Sequence, residues 1–436
     1  MTGVGGASPG PAPTPTPVEV RGRGPSGRIA LGLFAAALVA LVGLSLVGQS
    51  GSRPDSQAAV ATPTATPTAT SSPTAPPAPP PGTPPPRVAV AVGPVPTCPP
   101  GSTPDTPGPV DQARPTGLGS MVFDRQAGRL VALADGFLGE AEAWTFDVCT
   151  NTWTPMHPDR MHPSPSFFGT LVYDVDSDVT VAHEDTNRMW AYDLGADTWT
   201  MKGPAPADYP SLRFYDPVSG LLVALGDDGD EDTLGLPLWG YEVETDTWTP
   251  IPQAKPLTIG PHYEDFAYDA SVDRLVAYSV IWEPSGNGDW LSQPRTWLFD
   301  IRTGTWSGTG AVTPQFSYGM WGMGPGIAYD EAAERTVMLG QGHFAAYDAT
   351  ADRWETLYEG STAEDWWAAC GTRPECRQLP FMVSDPVNER LVVYGGTVYT
   401  SKETGLVSPD DVLAFDTRTR EWTLLLAASS GQPSLP

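Results

Sequence analysis

Short runs in which apolar and polar residues alternate follow one another from residue 118 to near the end of the chain, and turn-forming residues separate them. Runs of this kind, with a period of two, are typical of β-strands that bury one face. The pattern therefore predicts an all-β domain in this part of the chain.

The runs are organised by a repeat that ends in tryptophan. Each copy contains an aromatic residue, an acidic residue, five further residues and a Trp, as in "WAYDLGADTWTMK" at 190–202. This arrangement predicts two strands joined by a turn that the acidic residue opens. The six Trp residues are Trp153, Trp199, Trp248, Trp306, Trp354 and Trp422.

A second motif precedes every copy of the first. In it an Asp stands seven residues before a Val, as in "VYDVDSDVTVAH" at 172–183. The Asp carboxylate can accept hydrogen bonds from nearby backbone N–H groups, which favours a second turn. The six Asp residues are Asp124, Asp174, Asp216, Asp269, Asp330 and Asp385.

The two motifs together give two hairpins, or four strands, in each unit of roughly 40–50 residues. Four-stranded units at this spacing are typical of β-propeller blades. Six units therefore predict a six-bladed β-propeller over residues 118–430.

The aromatic–x6–Trp spacing, present six times, and "VVYGG" at 392–396 resemble the kelch repeat. The resemblance covers residues 118–426 and implies a kelch-like propeller. Among the six units, only Gly395 and Gly396 form the glycine pair of that family. The other units read "LADG", "HED", "LGDDG", "YSV" and "LGQG" at this place. These repeats are degenerate, so the family's loop details are not transferred to this chain.

Ahead of the predicted propeller, residues 29–48 form an uncharged apolar run of twenty residues. As a helix rising ~1.5 Å per residue, such a run spans the ~30 Å hydrocarbon layer of a membrane. Arg21, Arg23 and Arg28 precede the run, and only Arg53 closely follows it. By the positive-inside rule, residues 1–28 are a cytoplasmic tail and the propeller is extracytoplasmic. A cleaved signal peptide, which gives a secreted protein, stays open as the alternative.

Residues 49–117 are predicted to form a Pro/Thr-rich disordered linker. Their central part reads "ATPTATPTATSSPTAPPAPPPGTPPP" at 61–86, and proline both fixes φ and removes a hydrogen-bond donor. In a polyproline-like conformation this stretch reaches ~80 Å. We therefore expect the linker to hold the propeller away from the membrane surface.

The order of strands in a blade predicts which end of the propeller carries function. In a four-stranded meander, the turns between the first and second strands and between the third and fourth strands lie at one end, here called the repetitive face. The connections between the second and third strands, and those between blades, lie at the other end, here called the variable face. Because sequence and length vary among these latter connections, we expect a ligand site on the variable face.

Aromatic residues are concentrated in the predicted connections of blades 4 to 6. Exposed rings there can stack on sugars or anchor a peptide, because they give a large contact area at low entropic cost. Alternatively, they cover a small accessory core under long loops. The candidates are Trp282 and Trp290 in a loop of blade 4, Phe316, Tyr318 and Trp321 in the connection 308–325, and Trp366 and Trp367 in the connection 358–380.

Arg213 is a further candidate for ligand binding. It stands three residues before Asp216, the Asp of the second motif in its blade, where the other blades have an apolar residue. A buried Arg needs partners, and Glu264 or Asp265 of the next blade are suitable. An ion pair is the preferred interpretation, and an anionic ligand in the central channel is the alternative.

Two groups of residues were considered as metal ligands. The acidic segment "GDDGDEDT" at 226–233 places Asp228, Asp230 and Asp232 at alternate positions, which suits Ca²⁺, but the Gly and Glu of an EF-hand are missing. A solvated acidic loop is preferred. The histidines show no metal-type spacing; His183 is expected in the core, and His343 in a loop between second and third strands. We therefore predict no cofactor.

Four cysteines outside a membrane suggest disulfides. "CGTRPEC" most simply joins Cys370 to Cys376, which leaves Cys98 to join Cys149. The second bond would attach the end of the linker to a turn of blade 1.

The chain carries 24 basic and 51 acidic residues, for a net charge of −27, which argues against nucleic-acid binding. We therefore predict a membrane-anchored, monomeric module that binds a glycan or a protein. An extracytoplasmic carbohydrate-active enzyme is the alternative, because galactose oxidase contains a kelch propeller. Its Tyr, His and crosslinked Cys–Tyr copper ligands have no matching motif here, nor do G-x-S-x-G, H-E-x-x-H or P-loop segments occur. Hydrolysis by paired carboxylates stays open.

Overall fold

A computed structural model describes most of the chain after residue 93. The described residues are 94–115, 118–134, 142–156, 163, 171–183, 188–206, 211–225, 237–253, 265–284, 290–316, 326–340, 342–360, 373–378, 380–401 and 405–429. Within these ranges, no helix is both long and apolar enough to cross a membrane. The predicted membrane helix 29–48 and the linker up to residue 93 lie outside them.

The first three blades are four-stranded antiparallel sheets whose strands follow chain order. Blade 1 contains β1 (Leu118–Asp124), β2 (Arg129–Ala134), β3 (Glu142–Asp147) and β4 (Thr152–Pro155). Blade 2 contains β5 (Leu171–Asp174), β6 (Val179–His183), β7 (Met189–Asp193) and β8 (Thr198–Lys202). Blade 3 contains β9 (Ser211–Asp216), β10 (Leu221–Leu225), β11 (Leu238–Glu242) and β12 (Thr247–Ile251).

The last three blades repeat this order, with one insertion in blade 6. Blade 4 contains β13 (Asp265–Asp269), β14 (Arg274–Pro284), β15 (Trp290–Asp300) and β16 (Thr305–Gly308), and blade 5 contains β17 (Gly326–Asp330), β18 (Arg335–Gly340), β19 (His343–Asp348) and β20 (Arg353–Glu359). Blade 6 contains β21 (Phe381–Asp385), β22 (Arg390–Tyr394), β25 (Val412–Asp416) and β26 (Glu421–Leu426). A separate hairpin, β23 (Val398–Ser401) and β24 (Gly405–Val407), lies between β22 and β25 in the chain.

The first strands of the six blades form a closed ring. Each contacts the first strand of the next blade, and β21 of blade 6 contacts β1 of blade 1. The fold is therefore a six-bladed β-propeller, as the repeat predicted. The chain divides into two compact units, and the propeller belongs to the unit Pro86–Trp282 with Ser292–Pro436. The other unit, Met1–Pro85 with Glu283–Leu291, is described only at 283–284 and 290–291.

The Trp motif is a cross-strand aromatic pair. In blade 2, Tyr192 of β7 lies directly opposite Trp199 of β8, and the ring centroids are 4.8 Å apart. Aromatic pairs on opposite strands stabilise an antiparallel sheet. The same pairing recurs in every blade, as Phe146–Trp153, Tyr241–Trp248, Phe299–Trp306, Tyr347–Trp354 and Phe415–Trp422.

Each of these Trp side chains also packs against the preceding blade. Trp199 of blade 2 joins a cluster with Leu133 and Ala143 of blade 1. Trp153 of blade 1 packs with Val392 and Tyr394 of blade 6, which continues the pattern across the closing junction. The Trp of the motif therefore stabilises both its own sheet and the contact with the preceding blade. The corresponding partners of the other four Trp residues lie in blades 2, 3, 4 and 5.

The turns of the repetitive face share one backbone geometry. In all twelve, the fourth residue after the opening acidic residue is left-handed, with φ between 48° and 68°. The opening carboxylate accepts hydrogen bonds from turn N–H groups, as Asp147 does from Cys149 (2.9 Å) and Thr150 (3.2 Å). This confirms the predicted role of the acidic residue, which satisfies backbone donors that the sheet leaves unpaired.

We predict that Trp199→Ala lowers the free energy of unfolding by about 3 kcal/mol or more, because it removes a ring from both the blade 2 sheet and the blade 1 boundary. Val312→Ala is the control, since Val312 is 91% exposed; surface changes of this kind stay within about 0.5 kcal/mol. Chemical denaturation followed by tryptophan fluorescence measures both. Equal effects of the two substitutions would contradict the packing role.

Candidate functional site

The variable face contains the least repetitive segments of the described structure. These segments are the long strands of blade 4, the β23–β24 hairpin, and the 3-10 helix Pro374–Cys376 in the connection between blades 5 and 6. The twelve turns of the repetitive face, by contrast, are close copies of one another. The described part of the candidate site is therefore on blades 4, 5 and 6.

The predicted loop of blade 4 is largely strand. β14 and β15 each have 11 residues, whereas β13 pairs with β14 only over Arg274–Tyr278 and β16 pairs with β15 only over Trp297–Asp300. Trp282 lies in β14 and Trp290 begins β15, so their assignment to a loop was wrong. The side chains of both Trp residues lie outside the described part.

The glycine pair of blade 6 allows the chain to turn into the β23–β24 hairpin, which the sequence did not predict. Gly395 and Gly396 both have positive φ, 65° and 77°. A Cβ on Gly396 would meet the Gln378 carbonyl oxygen at 2.7 Å. This close approach of the two backbones lets Gln378 and Thr397, beside Gly396, exchange backbone hydrogen bonds of 2.9 and 2.8 Å. Glycine is therefore required by both conformation and space.

A buried ion pair contacts the segment that leads into the hairpin, and no sequence motif predicted it. The Arg377 guanidinium donates to both carboxylate oxygens of Asp411 at 2.7 Å and to the Gly395 carbonyl at 3.0 Å. Both side chains are almost completely buried. Breaking such a pair by removing one partner leaves an uncompensated buried charge. Arg377 and Asp411 therefore fix the connection after blade 5 to blade 6.

Arg213 lies at a β-bulge in the first strand of blade 3. Val223 pairs with Phe214 but Ala224 pairs with Leu212, so Arg213 is an extra residue in β9. Leu212 thus occupies the ladder position that Met121 holds opposite Ala132 in blade 1. Aligning the blades by distance from the opening Asp therefore matched Arg213 with the wrong residues, because β9 contains one extra residue.

The bulge directs Arg213 toward the neighbouring blade. Its Cζ lies 5.3 Å from the centroid of the Phe266 ring, a cation–π contact, and bulges commonly re-aim a side chain in this way. The side chains of its predicted partners, Glu264 and Asp265, lie outside the described residues.

Phe316 is a core residue, which fits the alternative that rings of this connection cover a core rather than form an exposed platform. It is 1% exposed, and its ring contacts Tyr278, His343 and Trp354. Its backbone N–H donates to the Tyr278 hydroxyl at 3.2 Å. Burial against three aromatic rings explains the position. The remaining platform candidates, Tyr318, Trp321, Trp366 and Trp367, lie outside the described residues.

His183 and His343, the histidines within the described residues, both lie in strands. His183 is buried, as expected. His343 was predicted in a loop but begins β19, where it pairs with Gly340 and Glu359. Burial lowers the pKa of His343, and the nearby Glu359 charge opposes this. In the described part of the chain, no group of three or more His, Cys, Asp or Glu side chains is placed to hold a metal ion. Asp228, Asp230 and Asp232 lie outside it.

The cysteine prediction is confirmed for Cys98 and Cys149, which form a disulfide. Cys376 is also disulfide-bonded, and its predicted partner Cys370 lies outside the described residues. The first bond attaches residues 94–115, which the sequence placed in the linker, to the turn between β3 and β4.

Buried carboxylates surround the central channel on the repetitive face. Asp124, Asp174, Asp269 and Asp385 open the turns between first and second strands and are at most 2% exposed. Burial raises the pKa of all four carboxyl groups above the ordinary value of 3.8, although hydrogen bonds in the turns oppose the shift. These groups are placed by the repeat, and they make the fold sensitive to pH.

Comparisons with known proteins do not identify a family for this chain. No family model and no curated protein matches the chain. Among solved structures, a chain from the crystal structure of a nidogen/laminin complex is similar, with 11% sequence identity and a TM-score of 0.37. The match covers 55% of this chain and 79% of that chain. A likeness at this TM-score carries no argument, so the propeller assignment rests on the strand order of the chain itself.

We predict that the melting temperature falls as pH is raised from about 4 to about 8. For a carboxyl group whose pKa is raised by folding, the stabilisation is fully present below the unfolded value of ~3.9 and is lost as pH rises through the folded value. Asp269→Asn should reduce this dependence, because the buried carboxyl of Asp269 is removed.

Asp193→Asn is the matched control for this experiment. It removes one acidic group from an exposed turn of the same design, so the dependence of melting temperature on pH should stay as in the wild type. Differential scanning calorimetry across the pH series measures all three proteins. A melting temperature that rises with pH over this range would contradict the assignment.

Proposed function

We propose that the chain is a membrane-anchored extracytoplasmic binding module that takes a glycan or a protein on the variable face of a kelch-type propeller. The observation that carries the proposal is the difference between the two faces. One face repeats a single turn geometry twelve times, whereas the other contains the long blade 4 strands and the inserted hairpin of blade 6. Ligand sites in scaffold proteins commonly lie on such irregular connections, which a rigid framework positions.

Contacts that hold the connection between blades 5 and 6 support this proposal. The connection between them is held by the Arg377–Asp411 ion pair, by the Gly342 N–H donating to the Glu375 carbonyl at 2.9 Å, and by the Trp422 indole N–H donating to the Glu375 carboxylate at 3.0 Å. Trp366 and Trp367 belong to the same connection in the sequence. Aromatic side chains give a large contact area at low entropic cost, which makes these two residues candidates for ligand contact.

The extracytoplasmic location is supported by the cysteines and by the N-terminal sequence. Disulfides such as Cys98–Cys149 persist in oxidising compartments. The apolar run at 29–48 with basic residues before it supports an outer position for the propeller by the positive-inside rule.

We predict that Trp366→Ala/Trp367→Ala abolishes glycan binding by the full-length protein on an array of immobilised glycans. Met201→Ala is the control, because Met201 is an exposed side chain on the outer strand β8. It should leave binding unchanged. Circular dichroism checks that both variants are folded. Unchanged binding by the double variant would remove the aromatic platform from the proposal, and an array without any signal would favour a protein ligand.

The enzymatic alternative is tested on the same preparation. Elemental analysis that finds stoichiometric copper or zinc, or turnover of a bound glycan measured by product release, would overturn the binding-module proposal. We expect binding without turnover.

We predict that the full-length protein fractionates with membranes and that protease added to intact cells degrades its propeller. Deletion of residues 29–48 should remove it from the membrane fraction, because the only predicted anchor is lost. The mature N-terminus distinguishes the alternatives: a chain that begins after residue 48 and appears in the medium would establish a cleaved signal peptide instead.

A further inference from the structure

Residues 94–115, here called the clasp, lie across the junction where blade 6 meets blade 1. Blade 1 is the first blade in the chain and blade 6 the last, so no connection runs from β26 to β1. The described strands of each of these blades also come from one contiguous part of the chain, and no strand is shared between them. The closing junction therefore lacks the covalent link that the other junctions have.

At the other junctions, the chain that leaves one blade contacts the next blade. Gly203, which follows blade 2, donates its N–H to Asp246 of blade 3 at 2.8 Å. Gly310, which follows blade 4, donates its N–H to Asp352 of blade 5 at 2.7 Å. Asp246 and Asp352 are the left-handed residues of their turns. A connecting segment thus holds the turn between third and fourth strands of the following blade.

The Trp motif of the following blade receives similar contacts. Gln253, which follows blade 3, accepts from the Trp306 indole N–H of blade 4 at 2.9 Å. The Pro252 carbonyl oxygen lies so close to Gly304 that a Cβ on residue 304 would collide with it. Both contacts come from the segment that joins the two blades.

The clasp makes the equivalent contacts at the closing junction. Asn151 is the left-handed residue of the blade 1 turn, and its side chain donates to the Pro104 and Thr106 carbonyls at 2.7 and 2.9 Å. Gln112 donates to the Asn151 carbonyl at 3.0 Å and accepts from the Trp153 backbone N–H at 2.6 Å. The clasp therefore occupies the place of an inter-blade connection.

The clasp also forms hydrogen bonds with blade 6. The Gly108 N–H donates to the Leu425 carbonyl at 2.8 Å, and Arg114 donates to the Ala427 carbonyl at 2.7 Å. The buried Tyr394 hydroxyl donates to the Pro115 carbonyl at 2.9 Å. A Cβ on Gly108 would collide with the Asn151 carbonyl, so residue 108 fits only as glycine between the two blades.

Arg390 joins all three segments. Its guanidinium donates to Asp385 of its own blade (3.1 Å), to Asp105 of the clasp (2.9 Å) and to the Val148 carbonyl of blade 1 (3.3 Å). The Arg residues at the same repeat position in blades 1, 4 and 5 instead bridge to an Asp within their own blade. Those pairs are Arg129–Asp147, Arg274–Asp300 and Arg335–Asp348.

We propose that the clasp closes the propeller ring by replacing the missing connection between blades 6 and 1, and that the Cys98–Cys149 disulfide locks it in place. The disulfide joins the start of the clasp to the blade 1 turn that Asn151 completes. The bond fixes the clasp to blade 1, so the hydrogen bonds between the clasp and blade 6 hold the two blades together. The proposal is independent of the ligand and of the membrane anchor.

Hydrogen–deuterium exchange on the full-length protein tests the proposal. Cys98→Ser/Cys149→Ser should accelerate exchange at the Gly108 N–H and in β1, β4 and β21 by about ten-fold or more, because the junction opens locally. Exchange in blades 3 and 4 should be unchanged. Cys370→Ser/Cys376→Ser is the matched control, and it should leave blade 1 protected.

Gly108→Ala keeps the disulfide and tests the clasp contacts separately. It should accelerate exchange at the same junction, whereas Gly195→Ala, in a blade 2 turn without a close backbone contact, should not. Unchanged protection of blade 1 in both the Cys98→Ser/Cys149→Ser and Gly108→Ala variants would overturn the proposal. Equal acceleration in all six blades would also overturn it, because the effect would then be general destabilisation.

Discussion

The structure depends on the packing of one aromatic side chain per blade into the blade before it. Each Trp pairs with an aromatic residue on the adjacent strand of its own sheet and lies in a cluster shared with the preceding blade. A single residue thus couples the stability of a sheet to its position in the ring. Because the contact is made between neighbours, it can continue around the circle only if the last blade also packs against the first. Trp153 against Tyr394 meets that requirement, with ring centroids 5.4 Å apart.

The turns that present these strands have an electrostatic consequence. Carboxylates satisfy the backbone donors of each turn, and the inner ones are buried around the channel. Where the repeat supplies Arg, as at Arg274 and Asp300, the charge is paired within the blade. Tyrosine hydroxyls also donate to the left-handed Asp of several turns, as Tyr241 does to Asp246 at 2.6 Å. The resulting face is uniform in backbone geometry.

Sequence reasoning found the features that short-range chemistry encodes. The six-fold spacing of Trp and Asp identified every blade, and strand alternation identified most strands, because both depend on residues close together in the chain. It failed where pairing determined the outcome. Arg213 was compared at a fixed distance from Asp216, yet a bulge in β9 moves it out of the ladder. The sequence left Phe316 open between an exposed platform and a covered core, and three distant rings bury it.

The sequence by itself determined the number of blades and the design of their hairpins, because both follow from local spacing. It favoured the pairing of Cys98 with Cys149 among three possible connectivities, and the structure shows that bond. Only the tertiary structure decided how the ring closes. Arg390 repeats the position of Arg129, Arg274 and Arg335 and is indistinguishable from them in sequence, but only it contacts the clasp. The Arg377–Asp411 pair was equally invisible in the sequence. These contacts join residues far apart in the chain, so they exist only after the blades have been brought together.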